Sequence, residues 1–206
     1  VTSFYGEKAA SFDAQVDEVA ASKPDAVVLI AFDETKKIVP QLVAKSVGPQ
    51  DIPTYFVDGN TADYSKESFA AELKGVKGTI PGAEAPEEFR KRLLEVDPKL
   101  TDFSYAGESY DATVVSALAA IAAGDDSGEA VASQIVAVTR EGEKCTTFAE
   151  CKALLDEDPE TDIDYDGISG PIELGETGSP TAASIGIYEY NAKGTYAAID
   201  FIAGNI

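Results

Sequence analysis

The sequence predicts an α/β protein whose sheet is mainly parallel. Three features carry that expectation. The run Ala26-Val27-Val28-Leu29-Ile30-Ala31 is continuously apolar and strand-sized, the pattern of a strand covered on both faces. Helix-spaced and strand-like segments alternate through residues 1–80. The chain closes on strand-like text on either side of Asn191-Ala192-Lys193-Gly194, a hairpin signal.

Taken in order, residues 1–80 read as strand, helix, strand, helix, strand, short helix, strand. The spacing of Phe12, Val16 and Val19 predicts a helix over 12–22, with Ser11 as its N-cap and Lys23-Pro24-Asp25 as its stop. After the apolar strand, Asp33 is placed to cap a helix carrying Ile38, Leu42 and Val43, in which Pro40 predicts a kink or a late start. Pro53-Thr54-Tyr55-Phe56-Val57 reads as the next strand and ends on Asp58-Gly59-Asn60. A short helix over 66–73 and a strand over 76–80 follow. Residues 81–160 read as helices with little strand. Pro86 opens the first, with Phe89, Leu93 and Leu94 on one face. The others cover about 107–123, 129–140 and 147–156. Within the longest, Tyr110 falls on the apolar stripe and reads as core.

Composition narrows the function. Asp plus Glu number 37 against 16 Lys plus Arg, a formal charge of −21. Such a field repels phosphate backbones and anionic lipid, so no nucleic-acid partner is expected; a solvated acidic surface is the plain reading. Histidine is absent, which removes Ser-His-Asp and Cys-His catalysis and histidine zinc sites. No G-x-G-x-x-G or P-loop occurs, and no spacing nominates a carboxylate pair, so an enzyme is not expected and no cofactor is implied. No apolar run approaches the roughly 20 residues that span a bilayer as a helix. The 206 residues contain no methionine and start inside the alternation, so the chain is expected to be part of a longer protein and to carry part of a site.

Cys145 and Cys151 lie six positions apart. A metal would need more soft ligands, and a reactive thiol would want a basic partner, for which Lys144 and Lys152 are near. The structural reading is a local disulfide, which implies an oxidising compartment.

Together these words resemble the type I periplasmic binding protein fold, and within it the branched-chain amino acid (leucine/isoleucine/valine) substrate-binding proteins of ABC transporters. The resemblance rests on Phe12-Asp13-Ala14 ahead of Lys23-Pro24-Asp25-Ala26-Val27-Val28-Leu29, on Tyr55-Phe56-Val57-Asp58-Gly59 and on Leu73-Lys74-Gly75-Val76-Lys77-Gly78-Thr79. It continues through Tyr105, Tyr110-Asp111-Ala112, Tyr165-Asp166-Gly167-Ile168-Ser169-Gly170-Pro171-Ile172 and Gly186-Ile187-Tyr188-Glu189-Tyr190. It covers only the second half or so of such a protein. It implies that 1–80 and 170–206 form most of a C-terminal lobe, and that 81–169 is a helical segment belonging to, or packing on, an N-terminal lobe absent here. It further implies an extracytoplasmic protein at the periplasm or cell surface, lipid-anchored upstream of Val1, that binds a small amino acid or amide in an interlobe cleft and hands it to a membrane ABC permease. An apolar face left by the absent lobe predicts dimerisation.

Ligands of parallel α/β sheets bind outside the carboxyl ends of the strands, here at Ala31-Phe32-Asp33 and at Asp58-Gly59-Asn60. Asp58 either accepts a charge-assisted hydrogen bond from a ligand ammonium or caps a turn. Gly59 permits close backbone approach, with Asn60 beside it. Phe32 matches a family position that offers an aromatic wall, or is a partly exposed core aromatic; Tyr105 matches an aromatic facing the cleft. Asp162, Asp164, Asp166, Gly167 and Glu173 spell a calcium loop, D-x-D-x-D-G with Glu at its twelfth position. Its context is wrong, with Gly170 and Pro171 at the exit and a strand following, and the resemblance reads it as an ordered crossover turn. The competing functions are a free solute receptor, a ligand-sensing domain of the same fold attached to a signalling protein, and, at a distance, a calcium-binding or enzymatic module.

Overall fold

The computed structural model describes residues 1–6, 9–158 and 160–205. In chain order the elements are α1 (Asp13–Ala21), β1 (Val27–Leu29), α2 (Thr35–Ala44), β2 (Thr54–Phe56), β3 (Lys77–Pro81), α3 (Glu87–Val96), α4 (Ala106–Ala123), α5 (Gly128–Gln134), β4 (Glu143–Cys145), α6 (Phe148–Glu157), β5 (Ile163–Gly167), β6 (Gly170–Pro171), β7 (Ala182–Tyr190) and β8 (Tyr196–Asn205). Single turns of 3-10 helix follow β2 (Asp58–Asn60) and precede β3 (Ala70–Leu73). One sheet has the order β1-β2-β3-β7-β8, and a smaller one β4-β5-β6. No helix among the described residues is long and apolar enough to cross a membrane.

The chain divides into two compact units. The first comprises Val1–Ile80 and Gly186–Phe201. In it β1, β2 and β3 run parallel, with Val27 beside Thr54 and Phe56 beside Gly78. Parallel neighbours require crossovers, and α1 and α2 supply apolar stripes to the same core: Phe12 and Val16 from α1, Ile38, Val39 and Leu42 from α2. The terminal hairpin joins this sheet. Tyr190 N–H donates to Val76 C=O (2.9 Å), and Tyr190 C=O accepts from Gly75 N–H (2.9 Å). The turn is closed by Asn191 N–H on Thr195 C=O (2.9 Å). Four aromatic rings seal the bottom of the core, with Phe56 against Tyr64 (6.3 Å) and Tyr190 (5.7 Å), and Tyr64 against Phe69 (5.6 Å).

Several expectations change in this unit. In the apolar strand Val27, Leu29 and Ala31 are buried, but Val28 and Ile30 stand 63% and 72% exposed. Both helices that flank β1 pack on one face, which leaves the alternate residues uncovered. The first expected strand does not form, and residues 1–6 are irregular. Ser11 accepts from Asp13 N–H (3.2 Å), yet Phe12 holds the cap position of α1. Asp33 does not cap α2; it pairs with Lys36 (2.9 Å). The α2 helix runs unbroken across Pro40.

The second unit comprises Pro81–Ile185 with the residues after Phe201. The chain returns to the first unit at Gly186, later than residue 170, because β6 and a bridge between Leu174 and Pro180 keep the intervening stretch here. The core of the second unit gathers Val114, Val115 and Leu118 of α4, Leu155 of α6, and Ile163 and Tyr165 of β5. Tyr110 packs at its margin, edge-on to Phe89 (5.3 Å). The strand β4 was not expected; it pairs parallel with β5, Cys145 beside Tyr165. Nor does a helix reach residue 140. The α5 helix stops at Gln134 because Val138 C=O accepts from Tyr165 N–H (3.0 Å) and Thr139 bridges Asp164, so this stretch serves the β5 ladder. A disulfide joins Cys145 at the end of β4 to Cys151 in α6, with Cα atoms 5.3 Å apart. Closing so short a loop stabilises by about 2 kcal/mol.

Candidate functional site

The β1 and β2 strands end side by side, and their tips touch. A Cβ added at Gly59 would lie 2.8 Å from Ala31 C=O and 2.8 Å from Phe32 Cε1. Glycine is therefore what permits this contact; any side chain would push the Phe32 ring or the β1 backbone aside. Phe32 is 71% exposed, and its N–H donates to the Glu34 carboxylate (3.0 Å). Asp58 opens the neighbouring turn from an exposed position.

Asn60 holds the two tips together. It is wholly buried; its Oδ1 accepts from Val57 N–H (2.9 Å) and its Nδ2 donates to Leu29 C=O (3.0 Å). Its side-chain amide is thus engaged by the two strand ends themselves. Beneath it, Tyr64 Oη donates to Asn60 C=O (3.0 Å), and Thr61 Oγ1 donates to Val57 C=O (2.8 Å). Tyr190 Oη accepts from Ala62 N–H (2.8 Å) and donates to Ala62 C=O (2.8 Å). Glu34, Thr61, Tyr64 and Tyr190 escaped sequence reasoning. Glu34 lies two residues past Phe32, a spacing at which a carboxylate reaches back to a backbone N–H; the other three carry no local signal.

Tyr105 belongs to the second unit. It stands at the N-terminus of α4 in the left-handed region, φ 58° and ψ 12°, and is 41% exposed. A bulky residue there is under backbone strain, and such strain concentrates at functional positions. In the same unit, Asp111 of α4 grips the β5–β6 turn. Its Oδ1 accepts from Tyr165 Oη (2.8 Å) and Ile168 N–H (3.0 Å), and its Oδ2 from Ser169 N–H (2.7 Å) and Ser169 Oγ (2.6 Å).

The calcium spelling does not form a loop. Asp164 and Asp166 lie on β5, and Lys144 pairs with both at 3.0 Å. Among the described residues no group of three or more Asp, Glu, Cys or His is placed to hold a metal ion.

Two buried phenols set an alkaline limit on stability. Burial pushes the Tyr190 hydroxyl far above the ordinary value of 10.0, and burial together with the hydrogen bond to Asp111 does the same to Tyr165. Their folded values exceed their unfolded ones, so the stability they contribute is complete below about pH 10 and is lost as pH rises toward the folded values. Thermal melts should hold steady to about pH 9.5 and then fall, and Tyr190→Phe should flatten the fall.

No family model and no curated protein sequence matches the chain. Solved structures do. A leucine-binding protein of Thermotoga maritima superposes with a TM-score of 0.67 at 17% identity, covering 97% of this chain and 51% of that one. A branched-chain amino acid ABC transporter periplasmic ligand-binding protein of Burkholderia xenovorans gives 0.57 at 13% identity, with 96% and 49% covered. A solute-binding protein of an ABC transporter from Rhodopseudomonas palustris, in complex with 3,4-dihydroxybenzoic acid, gives 0.56 at 15% identity, with 95% and 49% covered. The chain spans about half the length of each. It has the fold found in about half of a type I periplasmic binding protein.

Proposed function

We propose that this chain is one half of an extracytoplasmic solute-binding component of an ABC transporter, and that it takes a small amino acid of the branched-chain type, or an amide. The observation that supports this reading is the contact of two strand tips bearing an acid and an aromatic, Asp58 and Phe32 joined through Gly59, at the carboxyl end of a parallel sheet. Asp58 accepts from the ligand ammonium, Phe32 offers a wall to its side chain, Gly59 lets the backbone approach, and Asn60 keeps the tips in register. Tyr105 is proposed as a second aromatic of the site on the strength of the resemblance and its strained backbone. The disulfide suits an oxidising compartment.

Calorimetry on a protein that joins this chain to the other half found in its structural neighbours tests the reading. Leucine, isoleucine or valine should bind. Asp58→Asn keeps the shape and removes the charge, so affinity should fall by about tenfold to a hundredfold, the scale of one charge-assisted hydrogen bond. An aromatic acid such as 3,4-dihydroxybenzoate has no ammonium group for Asp58 and should not bind. Binding of that acid, or amino acid affinity untouched by Asp58→Asn, would overturn the assignment.

A further inference from the structure

An exposed aromatic ring makes a poor wall unless something fixes it. Phe32 is 71% exposed and lies three residues beyond the end of β1, past the last pairing with β2. Two local bonds take the place of that ladder. Phe32 N–H donates to the Glu34 carboxylate (3.0 Å), and Phe32 C=O accepts from Thr35 N–H (3.1 Å). Both polar groups of the Phe32 backbone are thereby tied to the first residues of α2. The bond to Glu34 has an ionised acceptor, which makes it the stronger kind.

Glu34 is itself anchored. It holds the N-cap position of α2, where its C=O accepts from Lys37 N–H (2.8 Å) and Ile38 N–H (2.9 Å). Ile38, Val39 and Leu42 seat that helix in the core of the first unit. The neighbouring acid does different work: Asp33 pairs with Lys36 (2.9 Å), and its side chain is 91% exposed. The path from the packed core to the exposed ring therefore runs through the Glu34 carboxylate. On its other side the ring meets the Gly59 backbone, where a Cβ would lie 2.8 Å from Phe32 Cε1 and 2.9 Å from Cδ1.

We propose that Glu34 is a positioning residue for the ligand's side chain: it holds the Phe32 main chain so that the ring stands as a preformed wall. The inference rests on the amino acid reading given above. Glu34 acts through Phe32 alone. A wall already in place spends no ordering entropy when the ligand arrives, which is how a residue that makes no ligand contact raises affinity.

Two measurements test it. Hydrogen exchange on the 206-residue chain reads the clamp without any ligand. The Phe32 amide should exchange faster by about fivefold or more in Glu34→Ala. Glu34→Gln, whose amide oxygen still accepts from that N–H, should restore most of the protection. Unchanged exchange in Glu34→Ala overturns the proposal whatever the ligand. Calorimetry with leucine, on the joined protein described above, reads the wall. Glu34→Ala should weaken leucine by about threefold to tenfold, a part of the burial of one apolar side chain. In a Phe32→Ala background the same substitution should cost nothing further, and in an Asp58→Asn background it should cost as much as in wild type. Glu34→Ser, which keeps an N-cap and shortens the side chain, serves in its place if the alanine variant fails to fold. Equal losses with and without the Phe32 ring, or no loss at all, overturn the proposal and leave the amino acid reading standing. A wild-type protein that does not bind leucine ends that reading, and the proposal falls with it.

Discussion

Replacing Asp111 with alanine lowers the stability of the second unit by about 3–5 kcal/mol, because it strands one buried phenol and three part-buried donors at once. The carboxylate of this one residue accepts from Tyr165 Oη, from two successive backbone N–H groups at Ile168 and Ser169, and from Ser169 Oγ. Tyr165 is fully buried and Asp111 nearly so, so water cannot replace the lost acceptor at the phenol. The geometry also ties three elements together: α4 supplies the acid, β5 the phenol, and the turn before β6 the amides. Asp111→Asn should fall between wild type and alanine, since its amide keeps one acceptor oxygen and points an N–H₂ at donors on the other side. An independent check comes from Gly167, where an added Cβ would sit 2.3 Å from the Asp111 carboxyl carbon. Gly167→Ala should therefore reproduce much of the loss without touching the acid. Urea melts followed by tyrosine fluorescence measure all three. A change below about 1 kcal/mol for Asp111→Ala would show that the turn holds by other means.

Periodicity and turn chemistry made the outline of the fold legible. The Phe12–Val16 face of α1, the long stripe of α4 and the hairpin at 191–194 all follow local rules, and their positions are close to the expected ones. What escaped was decided at long range. Glu143-Lys144-Cys145 has no strand pattern; it becomes β4 through its pairing with β5, and its end is fixed by the disulfide to α6. Gln134 ends a helix whose apolar pattern runs on, because Val138 and Thr139 are claimed by the β5 ladder. An apolar run states what a strand needs, not what the chain supplies. That is why Val28 and Ile30 read as buried and stand exposed. At the candidate site the positions of the two strand ends were legible in the sequence, although Asp58 and Phe32 each kept two readings. The part of Asn60 was not, because its amide bonds Leu29, 31 positions away.

That amide makes the second large effect. Asn60→Ala should cost about 2–4 kcal/mol, since it leaves Val57 N–H and Leu29 C=O without their side-chain partner in a position closed to water. The substitution also leaves a void where Tyr64, Thr61 and Tyr190 converge on the same turn. Asn60→Asp separates the two bonds. Its carboxylate still accepts from Val57 N–H but faces Leu29 C=O with a lone pair, so at neutral pH it should cost at least as much as alanine. On acidification the carboxyl takes up a proton and can donate to that carbonyl, so the aspartate variant should regain stability relative to alanine as pH falls. A parallel acid profile for the two variants would sink this account. The same pair of variants bears on ligand binding. Asn60 orders the backbone on which Asp58, Gly59 and Phe32 sit, so its loss should weaken binding through loosened tips and be offset by ligand excess, which stabilises the folded state by mass action. Asp58→Asn, by contrast, should weaken binding by removing the charge proposed to meet the ligand ammonium. A variant of Asn60 that binds normally despite its lost stability would detach the staple from the site.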